Sequence, residues 1–436
     1  MITPQTLAER RDFLERCTRC SQCKFVPTPK SHRHASACPS MDYGQFHAFS
    51  GGGQLIMGYG LLNGDIDCSD ELVNAVSSCT MCGNCDLSCK VNFGETIEPL
   101  DSLYAIRAKI VEQGHSPDAH KGLMENLRTT GNAEGYPRVE RELWACGLDL
   151  PLASEGKSDV LLHIGSELAY DASRRTALRT VLQALKASGV ALSHMGINEG
   201  PSGSLAFDLG YTHDATAFAG SMLEQIKRSG AATLVTFSAS ALAAFRAIYP
   251  RLGYSFEHVR VLHYTEYLQE LIQSKRLPIR RLKTDQDRPV AYHDSCKLGR
   301  LSEPWTPHDL QLDNRMGGIL ASRAPQALRF GHAGCYDAPR ALLGYMGFDV
   351  VELERKRGAS YCCGASGGVT ATLPEAAALA AENRLAEFRD TQAPTLVSAC
   401  SGCTSHLGKN ISGEGQVRDL IDLLALALEP VMAPSL

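Results

Sequence analysis

Cys17-x2-Cys20-x2-Cys23 and Cys79-x2-Cys82-x2-Cys85-x3-Cys89 constrain this chain more tightly than any other feature of it. Cysteines spaced in this way set three thiolates on one tight loop, where they take three corners of an iron–sulfur cubane, and the fourth ligand of each run goes to the other cluster. Cys38-Pro39 supplies the fourth position of the first run after fourteen intervening residues. The spacing therefore assigns Cys17, Cys20, Cys23 and Cys89 to one [4Fe–4S] cluster, and Cys79, Cys82, Cys85 and Cys38 to a second. Zinc is the alternative occupant, but zinc sites are usually built from paired Cys-x2-Cys units rather than three cysteines in a row. Lys90 stands where such runs often carry proline, which leaves the ligands intact.

The chain has sixteen cysteines in 436 residues; thirteen fall in tight groups, leaving Cys68, Cys146 and Cys335 outside. Disulfides are rare in the cytoplasm, so the grouped cysteines read as ligands. With 44% hydrophobic and 21% charged residues and a net charge of −5, the composition is that of a globular chain long enough for two or three domains. No block of Lys and Arg marks a nucleic-acid surface. The most apolar stretch, Leu420 to Ala433, is broken by Asp422, Glu429 and Pro430 and falls short of a bilayer span. The expectation is a soluble, cytoplasmic chain that reaches a membrane only through partner subunits.

Residues 1–150 carry both cysteine runs among short helices, which predicts a small, mainly helical domain organised around its metal. Ser69, followed by Asp70 and Glu71, predicts an N-cap and acidic first turn opening a helix through Leu72, Val73 and Val76. Leu103, Ile106 and Ile110 predict a second helix ending near Gly114. Gly51, Gly52 and Gly53 predict a loop. From about Lys157 the pattern alternates: Val160 to Ile164 reads as a buried strand, and Ser173 as the cap of a helix carrying Leu178, Leu182 and Leu185 and stopping at Gly189. Such alternation predicts an α/β fold, a parallel sheet with helices on its faces. A polar stretch from Arg280 to Arg288 separates this unit, 158–280, from a second, 288–430.

The second unit reads as a copy of the first. Thr233 to Ala241 aligns with Thr395 to Cys403, Pro201-Ser202-Gly203 with Cys362-Cys363-Gly364, and Ser166 with Cys296. Only the second copy keeps cysteines at these positions. Strand ends converge on one edge of an open parallel sheet, where ligands usually bind. Cys296, Cys362, Cys363, Cys400 and Cys403 are therefore expected to meet in one pocket. Zinc held by four of the five thiols, or a metal-free buried pair, are the plainer readings.

His293-Asp294-Ser295-Cys296-Lys297-Leu298-Gly299-Arg300, Tyr336-Asp337-Ala338-Pro339-Arg340, Cys362-Cys363-Gly364 and Cys400-Ser401-Gly402-Cys403 resemble, in order, the motifs of the cysteine-rich CCG domains of the heterodisulfide reductase family. A ferredoxin-like two-cluster domain fused to two such domains is how that family builds some electron-transfer subunits. The resemblance implies a noncubane [4Fe–4S] cluster on Cys296, Cys362, Cys363, Cys400 and Cys403 that works on a thiol or disulfide, with a flavoprotein or a membrane quinone-reactive subunit as redox partner. It equally admits the iron–sulfur subunit of a flavin-linked 2-hydroxyacid or glycerol-3-phosphate dehydrogenase, or a relay without chemistry of its own. About thirty extra residues precede Tyr336, and Cys335 beside it is a second candidate for the place of Cys296.

Three histidines, His293, His332 and His406, lie near these motifs, either as proton donors or as hydrogen-bonding neighbours of a sulfur. Lys297, Arg300 and Arg340 either offset cluster charge, bind an anionic substrate, or are solvated surface groups. The glycine-rich segments lack a nucleotide fingerprint, so no flavin or nicotinamide site is expected in this chain.

Overall fold

The structure is a computed structural model that describes residues 6–93, 97–155, 158–282, 289–305, 312–315, 319–322 and 331–428. Most of the Arg280 to Arg288 separator, the outer limits at 288 and 430, and the end of the Leu420 to Ala433 stretch lie outside these residues.

Val160–His163 (β1), Leu192–His194 (β2), Thr233–Thr236 (β3) and Arg260–His263 (β4) form one parallel sheet in the order β2-β1-β3-β4. Val290–Tyr292 (β5), Val350–Glu352 (β8), Thr395–Ser398 (β9) and Gln416–Asp419 (β10) form another, in the order β10-β9-β5-β8. Ranked by position within each unit, the two orders are the same. Central strands β1, β3 and β9 are buried at every residue, as parallel strands covered on both faces should be. The insertion before Tyr336 holds an antiparallel pair, Leu312–Arg315 (β6) with Ile319–Ser322 (β7).

The units pack on each other reciprocally. Helix Arg175–Ala187 of the first meets Leu420–Ala427 of the second, while Asp337–Met346 of the second meets Tyr264–Gln273 of the first. One continuous apolar core, from Leu178 and Leu268 to Leu342 and Leu424, joins them. Exchanged contacts of this kind are what a two-fold relation between similar units produces.

The N-terminal region is mainly helical. Ser69 caps its helix by accepting from Leu72 N, and Pro99–Glu112 carries the Leu103, Ile106 and Ile110 stripe. Two expectations fail. Gly51, Gly52 and Gly53 are not a loop but the first turn of helix Gly51–Asn63, because Ser50 Oγ accepts from Gly53 N and glycines let the helix start against cysteine side chains. Ser173 caps nothing: Asp171 Oδ1 takes both its N–H, at 2.9 Å, and its hydroxyl, and the helix begins at Arg175.

Candidate redox centre

Helix Asn84–Phe93 packs on the short turn Gln22–Lys24 and so carries Cys89 toward the first cysteine run, whose Cys23, Cys17 and Cys20 charges all reach it. Gly52 N donates to Cys23 Sγ at 3.2 Å, and a Cβ on Gly52 would stand 3.3 Å from that sulfur. Cys23 and Cys89 are buried, Cys17 is partly exposed and Cys20 fully so, which puts this quartet at the surface.

Cys38, Cys79, Cys82 and Cys85 line a small internal cavity of about 20 Å³. Burial pushes the Cys38 and Cys85 thiols well up, and neighbouring Cys79 adds to both; Cys79 itself is pushed up to about 11 by burial. The structure thus brings together the two quartets that the crossed spacing pairs. Arg107, missed in the sequence, braces the backbone at Cys79: its guanidinium donates to Cys79 O at 2.6 Å, Asp208 O at 2.8 Å and Gly367 O at 2.9 Å.

The five C-terminal cysteines also converge. Cys400 is the N-cap of helix Ser401–Asn410, which starts where β9 ends, and Cys403 lies one turn along it. Cys363 Sγ is 3.2 Å from Cys403 Sγ. The Cys362 thiol is within hydrogen-bonding reach of Cys296, Cys363 and also Cys82, and these contacts push it well up while lowering its three neighbours. The second quartet and the C-terminal group are therefore neighbours, linked through Ser366, whose Oγ donates to Thr80 O at 2.7 Å and lies 3.9 Å from the Cys362 sulfur. Cys335 is elsewhere, with its sulfur 3.5 Å from Thr265 Oγ1, so Cys296 and not Cys335 joins the group.

None of these thiols is in a disulfide. Thiols packed this closely in a buried site cannot all ionise without a cation among them. The glycine approach at Cys23, the cavity within the second quartet and this dense C-terminal donor set fit iron–sulfur groups. When bound, such groups supply electron transfer.

Other side chains tune the centre. Arg384 Nε donates to His293 Nδ1 at 2.9 Å, which leaves the ring proton on Nε2, a buried nitrogen with no hydrogen-bond partner in the structure. The His293, Cys363 and Cys403 ligating atoms lie within 4.8 Å of one another. His406 Nε2 instead meets Ala377 O at 3.1 Å, and His332 is exposed. None of the three cations is a solvated surface group. Lys297 Nζ pairs with Asp208 Oδ2 at 2.6 Å, Arg300 Nη1 donates to Gly358 O and Ser360 O, and Arg340 forks onto Asp294 and Glu352.

A cavity of about 240 Å³ opens between the two units. Cys296, Cys363, Cys400 and Cys403 line one side; Ser166, Ser202 and Ser238, their counterparts in the first unit, line the other. Glu167, also missed, projects into this space. It is accessible through the cavity, yet the surrounding protein pushes its carboxyl up to about 7, with the charge of Glu134 next in effect. The signal was present: Glu167 follows Ser166 as Lys297 follows Cys296.

Residues 330–408 match the cysteine-rich domain family CCG. A probable membrane-anchored ferredoxin of Chromohalobacter salexigens is 28% identical over 362 residues, 81% of this chain but 48% of that protein. The EtfAB:quinone oxidoreductase of Syntrophomonas wolfei is 26% identical over 66% of this chain and 36% of its own length. The chain thus spans half or less of the length of these two relatives. The D subunit of the dihydromethanophenazine:CoB–CoM heterodisulfide reductase of Methanosarcina acetivorans is 28% identical over 433 residues, 95% of this chain and 94% of that protein. Similarity over nearly the full length of both chains, joined to the CCG match, supports an iron–sulfur oxidoreductase subunit similar to the heterodisulfide reductase D subunits.

Proposed function

We propose that this subunit passes electrons between a redox partner at its N-terminal surface and a thiol/disulfide or related acceptor in the cavity between its α/β units. Cys17, Cys20, Cys23 and Cys89 would hold one [4Fe–4S] cubane, and Cys38, Cys79, Cys82 and Cys85 the other. Cys296, Cys362, Cys363, Cys400 and Cys403 would hold a noncubane [4Fe–4S] cluster as the terminal site. The observation that carries this reading is continuity: Cys20 is exposed, the Cys82 and Cys362 thiols shift one another, and Cys296, Cys363, Cys400 and Cys403 line the cavity.

Replacing Cys363 with Ser should abolish disulfide turnover while the two N-terminal clusters still reduce normally in stopped flow. Normal turnover by a folded Cys363→Ser protein lacking the third cluster would sink the reading. Similarity to the EtfAB:quinone oxidoreductase favours a second route, with a flavoprotein partner and electrons delivered toward quinone. Under that route the reconstituted complex reduces quinone and leaves disulfides untouched.

A further inference from the structure

Arg300 is only 6% exposed, yet its guanidinium meets no carboxylate among the described residues. Its hydrogen bonds all go to backbone carbonyls: Nε donates to Cys82 O at 2.5 Å, and Nη1 to Gly358 O at 2.8 Å and Ser360 O at 2.6 Å. Nη2 is buried with no hydrogen-bond partner. Lys297 and Arg340 differ, since Asp208 neutralises the first and Asp294 with Glu352 the second. Arg107 also binds carbonyls, but the cysteine it acts on is Cys79, of the second quartet. Gly331 closes over the Arg300 stem: at φ +72° a side chain there would be strained, and its Cβ would strike Arg300 Cβ.

A buried charge without a counterion is costly, so Arg300 requires an anion from its surroundings. Those surroundings are cysteines of two groups. It binds Cys82 O directly, Ser360 leads into Cys362, and Leu301 N donates to Cys296 O at 3.0 Å. The Cys82 and Cys296 thiols are both lowered, first by the Cys362 thiol and then, against burial, by the Arg300 charge. Burial disfavours the guanidinium charge in turn, and Cys82 followed by Cys296 do most to support it.

We infer that Arg300 is the shared counter-charge of the second N-terminal cluster and the C-terminal cluster, and that it raises the reduction potential of both. This rests on the reading of both sites as iron–sulfur clusters. A cluster that gains an electron gains a negative charge, so a fixed cation in a dry site stabilises its reduced form. Because one cation acts on both clusters, electron entry from the surface cluster becomes more downhill while the step between the two changes little.

The test is a redox titration of the iron-loaded full chain, read by electron paramagnetic resonance, with the first cluster as internal reference. Arg300→Gln removes the charge and keeps a donor. It should lower both potentials, each by at least about tenfold in the reduction equilibrium, which is about 59 mV for one electron. The first cluster should not move. Arg300→Lys restores the charge without the fork and should return both potentials toward native. Unmoved potentials in loaded Arg300→Gln, equal shifts in the Gln and Lys variants, a shift in one of the two clusters only, or an equal shift in all three each overturn the inference. If Arg300→Gln fails to load, native potentials in Arg300→Lys uphold it and displaced ones overturn it. If neither variant loads, Arg300 is a backbone brace and the inference falls. Zinc in place of iron at the C-terminal site rejects the cluster reading and the inference together. Iron at all three sites with unmoved potentials rejects the inference alone.

Discussion

Lys297 Nζ stands 2.6 Å from Asp208 Oδ2, and with the two side chains 5% and 2% exposed this buried ion pair ties the second α/β unit to the first. Removing one partner strands the other charge in a dry site, at a cost of about 3–5 kcal/mol. Asp208→Ala and Lys297→Met should each lower the urea midpoint steeply, whereas Asp208→Leu combined with Lys297→Met should recover much of the loss. A double variant no better than the singles would show that the pair also serves a local structural need.

Cys82 and Cys362 belong to different cysteine groups yet each shifts the other's thiol, and Ser366 links the two groups, its Oγ donating to Thr80 O at 2.7 Å and lying 3.9 Å from the Cys362 sulfur. Cys362→Ser should remove one cluster's worth of iron and perturb the paramagnetic resonance spectrum of the second N-terminal cluster, without touching the first. Cys82→Ser should remove the second cluster and unsettle the N-terminal region, since small metal-built domains depend on metal for folding. Independent spectra in Cys362→Ser would show that the two groups do not communicate.

Much of this arrangement is legible in the sequence because it rests on local chemistry. Cysteine spacing, the Ser69 cap and the β1 and β9 runs depend only on neighbours in the chain. The repeat is legible too, since Ser202 and Ser238 lie 36 residues apart and their counterparts Cys363 and Cys400 lie 37 apart, while an insertion lengthens the interval from Cys296 to Cys363. What escaped depends on distant partners. Gly51 reads as loop until Cys85 is found packed against it, and Arg107 is an ordinary helix residue until the fold delivers Cys79, Asp208 and Gly367 carbonyls to its guanidinium. The Cys82–Cys362 contact joins segments far apart in sequence, and no spacing rule reports it.

His120 and His263 are 2% and 0% exposed, and burial lowers each to about 3, with Arg107 and Arg246 respectively adding to the effect. Their folded pKa lies below the unfolded value of about 6.5. The stability they contribute is therefore intact above that pH and is lost as pH falls toward 3, by about 1.4 kcal/mol per pH unit for each histidine. His120→Gln and His263→Gln should each flatten the fall in urea midpoint between pH 6.5 and 4 relative to the native chain in the same buffers. Parallel curves would mean these rings are protonated in the folded state.

Arg384 is fully buried and its guanidinium is shared by His293 Nδ1 at 2.9 Å, Arg355 O at 2.8 Å and Glu387 Oε2 at 2.7 Å. An arginine cannot accept a hydrogen bond, so it fixes the His293 tautomer with the proton on Nε2, which is buried with no hydrogen-bond partner, and the ring's ligating atom lies within 4.8 Å of the Cys363 and Cys403 sulfurs. A buried N–H this near the cluster ligands is placed to donate to a ligand sulfur once a cluster is bound, and loss of such outer partners typically costs about 10–100-fold in metal affinity. His293→Phe should therefore release iron from the C-terminal site faster under a chelator while both N-terminal clusters are retained. His293→Gln, whose amide can still donate, should fall between the two. The Gln variant separates donation from packing: if it loses iron as fast as Phe while folding normally, ring shape and not the N–H is what the site requires.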